Sequence, residues 1–158
     1  MKAPLAYPTW DQIAIGCGRL AVQLSNFEHT PTLIVGLSRG GLIPGVQVSH
    51  LMNLPFATIE YSSNDGNGET ATGIEGDLEY QVQYLTNLHG SDEMFVVIID
   101  DIVDTGHTMA DVVSMFVKKD WHVASAGLFV RDGSVHEPSI EWQRLQVDDS
   151  WVVFPWEL

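Results

Sequence analysis

Residues 95–109 read "FVVIIDDIVDTGHTM". Phe95 and four β-branched residues run without interruption into the adjacent acids Asp100 and Asp101. A short continuous apolar run of this kind predicts a strand buried on both faces, as in a parallel sheet. The two acids are read as its end, facing a crevice. Asp104 follows, then Thr105-Gly106-His107-Thr108, and the pattern from Thr108 to Lys119 predicts a helix. The stretch is therefore a strand, a polar loop and a helix start.

Working outward, "TLIVGLS" (Thr32 to Ser38) predicts a second buried strand, broken by Arg39-Gly40-Gly41. Leu42 to Met52 predicts a helix, in which Pro44 is tolerated because it lies in the first turn. "LPFATIEY" and "HVASAGLFV" predict two further core strands. Near the N-terminus Thr9 is a candidate N-cap, and Ile13, Cys17, Leu20, Ala21 and Leu24 share one helical face. Strands alternating with helices predict an α/β fold with a right-handed parallel sheet, whose ligands bind beyond the carboxyl ends of the strands. Both polar loops, "SRGG" and "DDIVDTGHT", fall at such ends.

Between these elements lies a turn-rich stretch, Ser62 to Asp77. After it, "LEYQVQYL" (Leu78 to Leu85) alternates apolar and polar residues, which predicts a half-buried strand in a hairpin-like flap. The tail "IEWQRLQVDDSWVVFPWEL" is rich in aromatic residues. No internal repeat or second core is visible. The 158 residues are expected to form one domain, 1–158, with a hood at about 62–93 and a C-terminal segment at 138–158.

Seven Lys and Arg stand against 21 Asp and Glu, a net charge of −14. Neutralising nucleic-acid phosphates or anionic lipid takes many cations, so neither is expected as a partner. No apolar stretch approaches a membrane span, and a cytoplasmic location is expected. Cys17 is the single cysteine, so no intrachain disulfide can form, and packing accounts for it.

The same scarcity of cations constrains any phosphorylated substrate. Backbone amides and metal ions would have to hold it. Carboxylates such as Asp100 and Asp101 accept hydrogen bonds from sugar hydroxyls and bind hydrated Mg²⁺. The first N–H groups of a helix lack internal partners, so Thr105 to Thr108 is a candidate phosphate cradle, with Gly106 allowing close approach. Taken alone, Asp104 or Thr105 can also be a simple helix cap. Adjacent acids at a strand end repel each other and have little structural use. Ser38-Arg39-Gly40 offers amides and a guanidinium suited to bidentate phosphate contact, or else is a glycine turn with a surface arginine. Trp151 can stack on a planar base or fill the core, while the main chain at Val152 could read a base edge. Arg131 ends a predicted strand, where an arginine is commonly a surface group.

"VVIIDDIVDTGHT" resembles the phosphoribosyl-pyrophosphate (PRPP) binding loop of type I phosphoribosyltransferases. Together with "TWDQIAIGCGRLAVQL", "IVGLSRGGLIPGVQVSHLMNLP" and "DDSWVVFPWEL", it makes most of the chain similar to bacterial xanthine-guanine phosphoribosyltransferases. The likeness lapses in the hood, Ser62 to Glu93. It implies a parallel sheet core with a hood, and transfer of a phosphoribosyl group from PRPP to N9 of a 6-oxopurine with Mg²⁺ as cofactor. It also implies a homodimer or homotetramer. Asp104 would be the general base, and Asp100 and Asp101 would hold ribose hydroxyls or their metal. Thr105, Gly106, His107 and Thr108 would bind the 5′-phosphate. Ser38, Arg39 and Gly40 would bind pyrophosphate, and Arg131, Trp151 and Val152 the purine. His107 stands where the family commonly has glycine and is expected to offer its backbone. Arg131 stands where lysine usually donates to the purine O6. The hood has no Lys or Arg, and a flap from Ser62 to Tyr84 is expected to close over the site. A PRPP-binding regulator without catalysis, and a transferase for another base, are the competing readings.

Overall fold

The computed structural model describes residues 5–61, 75–90, 94–146 and 151–158. Chain order is β1 (Leu5–Ala6), α1 (Trp10–Ser25), β2 (Leu33–Ser38), α2 (Leu42–Met52), β3 (Phe56–Glu60), α3 (Glu75–His89), β4 (Phe95–Val103), α4 (His107–Val117), β5 (His122–Arg131), β6 (Ile140–Leu145) and β7 (Trp151–Val152), ending in a 3₁₀ turn, Pro155–Glu157. Five strands form a parallel sheet in the order β3-β2-β4-β5-β6. This is the expected α/β architecture. The described residues include no helix long and apolar enough to cross a membrane.

Local chemistry explains the elements. Thr9 caps α1 through a reciprocal box: its Oγ1 accepts the Gln12 N–H at 3.2 Å, and Gln12 Oε1 accepts the Thr9 N–H at 2.8 Å. Ile13, Cys17, Leu20 and Leu24 of α1 are buried with Val48 of α2 against Val97, Ile99 and Ala126 on one sheet face. Burial pushes the Cys17 thiol up to about 12, so it is inert packing. Met109, Val112 and Phe116 of α4, with Leu78, Val82 and Leu85 of α3, cover Val35, Val96 and Ile98 on the other face. The result is three layers, helices on both sides of the sheet.

Two expectations need correction. Leu78 to Leu85 is helical, not a strand, within α3. Leu78, Val82 and Leu85 recur at helical spacing and are buried, whereas Tyr80 and Tyr84 share an exposed face. Glu, Gln and Leu are strong helix formers, and the apparent alternation is two helical stripes read together. The Gln81 side chain accepts the Glu60 N–H at 2.8 Å and donates to the Glu60 carbonyl at 2.9 Å, covering part of the edge strand β3. Residues 62–74, the rest of the expected flap, lie outside the described residues. Second, β4 does not end on the acids but runs past them to Val103. The tail also contributes a fifth sheet strand, β6, parallel to β5. The final residues pair β7 with β1 in a separate two-stranded ribbon and pack through Phe154 and Trp156, whose rings stack at 4.6 Å.

Candidate active site at the switch point of the sheet

From β2 the sheet grows outward to β3 on one side and to β4, β5 and β6 on the other. The carboxyl ends of β2 and β4 thus flank the topological switch point, the usual ligand crevice of such sheets. The two polar loops emerge there.

After β2 the Ser38–Arg39 peptide is cis. The chain turns through Gly40 and Gly41 into α2, with the Gly41 N–H donating to the Leu37 carbonyl at 2.9 Å. Arg39 is exposed. Gly40 lies against Asp101: a Cβ there would collide with the Asp101 carboxyl group unless that side chain moved. The expected pyrophosphate loop and the acid pair are therefore in direct contact. Arg39, Gly40 and Asp101, together with Trp156 and Glu157, line a cavity of about 670 Å³.

Within β4, Asp100 Oδ1 accepts the Asp101 N–H at 2.9 Å, and Asp101 Oδ1 accepts the Ile102 N–H at 2.8 Å. Burial, reinforced by the Asp101 charge, raises the Asp100 pKa well above the usual carboxylate range. Burial also raises that of Asp101, and the Glu157 charge adds to it. Two acids that resist ionisation together call for a counter-charge. Among the described residues no three His, Cys, Asp or Glu side chains converge into a cation cage. Mg²⁺ needs none, since it keeps waters and takes one or two carboxylates plus substrate oxygens. The donor set at Asp100 and Asp101 fits that mode.

Beyond β4 comes the turn Asp104-Thr105-Gly106. Gly106 has φ 85°, the left-handed region, and caps α4. The first intrahelical bond of α4 runs from the Ala110 N–H to the Gly106 carbonyl at 2.9 Å. The first N–H groups of a helix lack intrahelical acceptors, which makes a helix start favourable to an anion. His107 is exposed and Thr108 half-buried.

From the end of β5, Arg131 crosses to β4's loop. Its Nε donates to Asp104 Oδ1, and its Nη1 donates to the Gln146 carbonyl at 3.2 Å. The Arg131 side chain is 14% exposed and that of Asp104 39%, so the pair sits at the rim with the carboxylate accessible. Trp151 lies on the separate ribbon and is 52% exposed, while Val152 is buried. The structure thus joins Gly40 to Asp101, and Asp104 to Arg131. It does not pack Trp151 into either group.

Sequence reasoning missed three contributors. Glu157 lines the cavity beside Asp101, and Trp156 packs against Phe154 and Trp10 while also lining that cavity. The Ser134–His136 segment touches the Thr105–Gly106 turn. A terminal Pro-Trp-Glu was visible as a motif, but nothing local marks residues 134–136.

A model of the phosphoribosyl transferase domain matches residues 6–158. The chain is similar to a purine phosphoribosyltransferase from Pyrococcus horikoshii, with 30% identity and a TM-score of 0.75, over 98% of this chain and 95% of that one. It shares its fold with the xanthine-guanine-hypoxanthine phosphoribosyltransferase of Helicobacter pylori (19% identity, TM-score 0.70, 98% and 94% covered). The fold also recurs in an adenine phosphoribosyl transferase from Trypanosoma brucei (15% identity, TM-score 0.60, 85% and 65% covered). The first of these is named for purines in general, the second for xanthine, guanine and hypoxanthine and the third for adenine, so the likeness leaves the base to be argued from side chains.

Proposed function

The chain belongs to the phosphoribosyl transferase family, and from that premise we propose that it is a cytoplasmic purine-salvage enzyme that transfers the 5-phosphoribosyl group of PRPP to N9 of a 6-oxopurine, releasing pyrophosphate. The observation that carries the choice of base is the Arg131–Asp104 pair at the rim. Arginine has N–H donors and no acceptor. It suits the O6 of guanine, xanthine or hypoxanthine and opposes the 6-amino group of adenine.

In this reading the amides of Thr105 to Thr108 anchor the 5′-phosphate, and the loop Ser38-Arg39-Gly40 receives the pyrophosphate. Asp100 and Asp101 hold the ribose hydroxyls or would hold Mg²⁺. Mg²⁺, when bound there, neutralises charge on the diphosphate that this acidic chain has few cations to meet. As the C1–oxygen bond to pyrophosphate breaks, positive charge develops at C1, and the nearby carboxylates stabilise it. N9 supplies the electron pair for the new bond, and the N7 proton passes to Asp104. Arg131 occupies Oδ1 of that carboxylate, leaving Oδ2 to receive the proton. Trp151 stacks on the purine and the Val152 main chain reads its edge.

The test is incubation with Mg²⁺, PRPP and, separately, guanine, xanthine, hypoxanthine, adenine and uracil, following nucleotide formation by ultraviolet absorbance. Product from a 6-oxopurine is expected. Product from adenine or uracil alone would overturn the base assignment, and PRPP binding without product from any base would leave a regulatory protein.

Arg131→Lys is expected to change the ranking of the three 6-oxopurines by roughly tenfold in kcat/KM. A single ammonium cannot reproduce the fork that spans Asp104 and the Gln146 carbonyl. An unchanged ranking would remove Arg131 from base recognition.

A further inference from the structure

We propose that Ser134–His136 is a strut that positions the phosphate-binding turn, with His136 a positioning residue that acts through Ser125; the proposal rests on the phosphoribosyl-transfer reading above. The route of the chain creates it. β5 ends at Arg131, yet β6 begins opposite Ala126, because the two strands are parallel with Ile140 paired to Ala126 and Leu145 to Arg131. The link, residues 132–139, must therefore double back along β5. On the way it meets the turn between β4 and α4.

The contacts are specific. The Val135 N–H donates to the Thr105 carbonyl at 2.8 Å. That carbonyl and the Gly106 N–H belong to one trans peptide and point in opposite directions. Fixing the carbonyl toward Val135 therefore aims the Gly106 N–H away from the strut. Ser134 Oγ fills the space beside Gly106, where a Cβ would collide with it and lie 2.7 Å from the His136 amide nitrogen. Ser134 Oγ also donates to the His136 carbonyl at 2.9 Å. The segment is anchored in turn to β5. His136 Nε2 and the buried Ser125 Oγ are 2.8 Å apart. Ser125 Oγ accepts the Ser139 N–H at 3.3 Å, which leaves its own proton to donate to Nε2, and the Ser125 N–H donates to Ser139 Oγ at 3.1 Å. Burial lowers the His136 pKa, in keeping with an accepting neutral ring. The anchor is on the strand that carries Arg131, so the turn for the phosphate and the reader of the base share one support.

A strut of this kind acts on the 5′-phosphate and not on the pyrophosphate loop, which stands on β2. The experiment compares affinities for ribose 5-phosphate and for pyrophosphate with Mg²⁺ in the wild type, His136→Ala and His136→Gln. The Gln side-chain amide reaches the position of Nε2. His136→Ala is expected to weaken ribose 5-phosphate about tenfold, as loss of a supporting residue behind a ligand group typically does. Pyrophosphate should change less than about twofold, and His136→Gln should restore the sugar phosphate. Equal affinities in wild type and His136→Ala would overturn the strut. So would parallel weakening of both ligands, or failure of Gln to restore, since either marks a general loss of structure. Should His136→Ala not yield folded protein, Ser125→Ala carries the same comparison. A wild type that binds neither ligand would instead refute the phosphoribosyl-transfer reading, and the strut's role with it.

Discussion

Asp104→Asn is expected to bind PRPP within a few-fold of the wild type and to turn over ~10²–10⁴-fold more slowly, the usual worth of a positioned general base. The substitution is nearly isosteric. The introduced asparagine keeps an Oδ1 that can accept from Arg131 Nε, so the rim geometry should survive. It cannot take a proton. Pre-steady-state mixing of enzyme, PRPP and guanine should show the loss in the chemical step rather than in binding. Turnover equal to the wild type would remove Asp104 from proton transfer.

The second large effect couples activity to stability. Asp100→Asn is expected to lose on the order of 10²-fold or more in kcat/KM, as a group that stabilises developing charge is removed. The same variant should be more stable without ligand, by roughly 1–2 kcal/mol, or a Tm rise of roughly 2–8 °C. The Asn carbonyl can still accept the Asp101 N–H that Asp100 now holds. What disappears is the cost of ionising a carboxyl that burial and Asp101 oppose. The sign follows from proton binding. With a native pKa raised above the unfolded value, the native state retains the proton longer. Wild-type stability then falls as pH rises from the ordinary carboxylate range through the raised pKa. Asp100→Asn should flatten that decline, and Mg²⁺ with PRPP should reverse it in the wild type alone. Melting curves across pH, with and without ligand, measure both. A variant less stable than the wild type at neutral pH would show that Asp100 is not held against its preference.

How much of this was legible in the sequence depended on how local the cause was. Phe95 to Ile99 announced β4, because an uninterrupted β-branched run has few other uses. Thr9 marked the start of α1 as its N-cap, and the structure adds Gln12 as the reciprocal partner. Asp100 to Thr108 and Ser38 to Gly40 were legible as candidate ligand loops, since glycine, hydroxyl and acid residues at strand ends have distinctive chemistry. Where two periods fit the same letters, the reading failed: Leu78, Tyr80, Val82 and Tyr84 satisfy alternation, while Leu78, Val82 and Leu85, the helix-forming composition and the packing against α4 favour the helix. Contacts made by the path of the chain left no local trace. The eight residues between β5 and β6 do not reveal that the strands are parallel, so the approach of Ser134 and His136 to Gly106 could not be seen. Neither could the return of Glu157 to Asp101, which depends on Phe154 and Trp156 packing at the far end of the chain.

The claim beneath all of this is that the switch point holds an activated sugar phosphate through helix-start amides and a metal-dependent acid pair. Equilibrium dialysis of labelled PRPP against the purified chain, with and without Mg²⁺, tests it most directly. Saturable binding of one PRPP per chain is predicted with Mg²⁺ present, weakened when Mg²⁺ is removed and competed by ribose 5-phosphate and by pyrophosphate. Absence of saturable binding with Mg²⁺ at millimolar PRPP would contradict it.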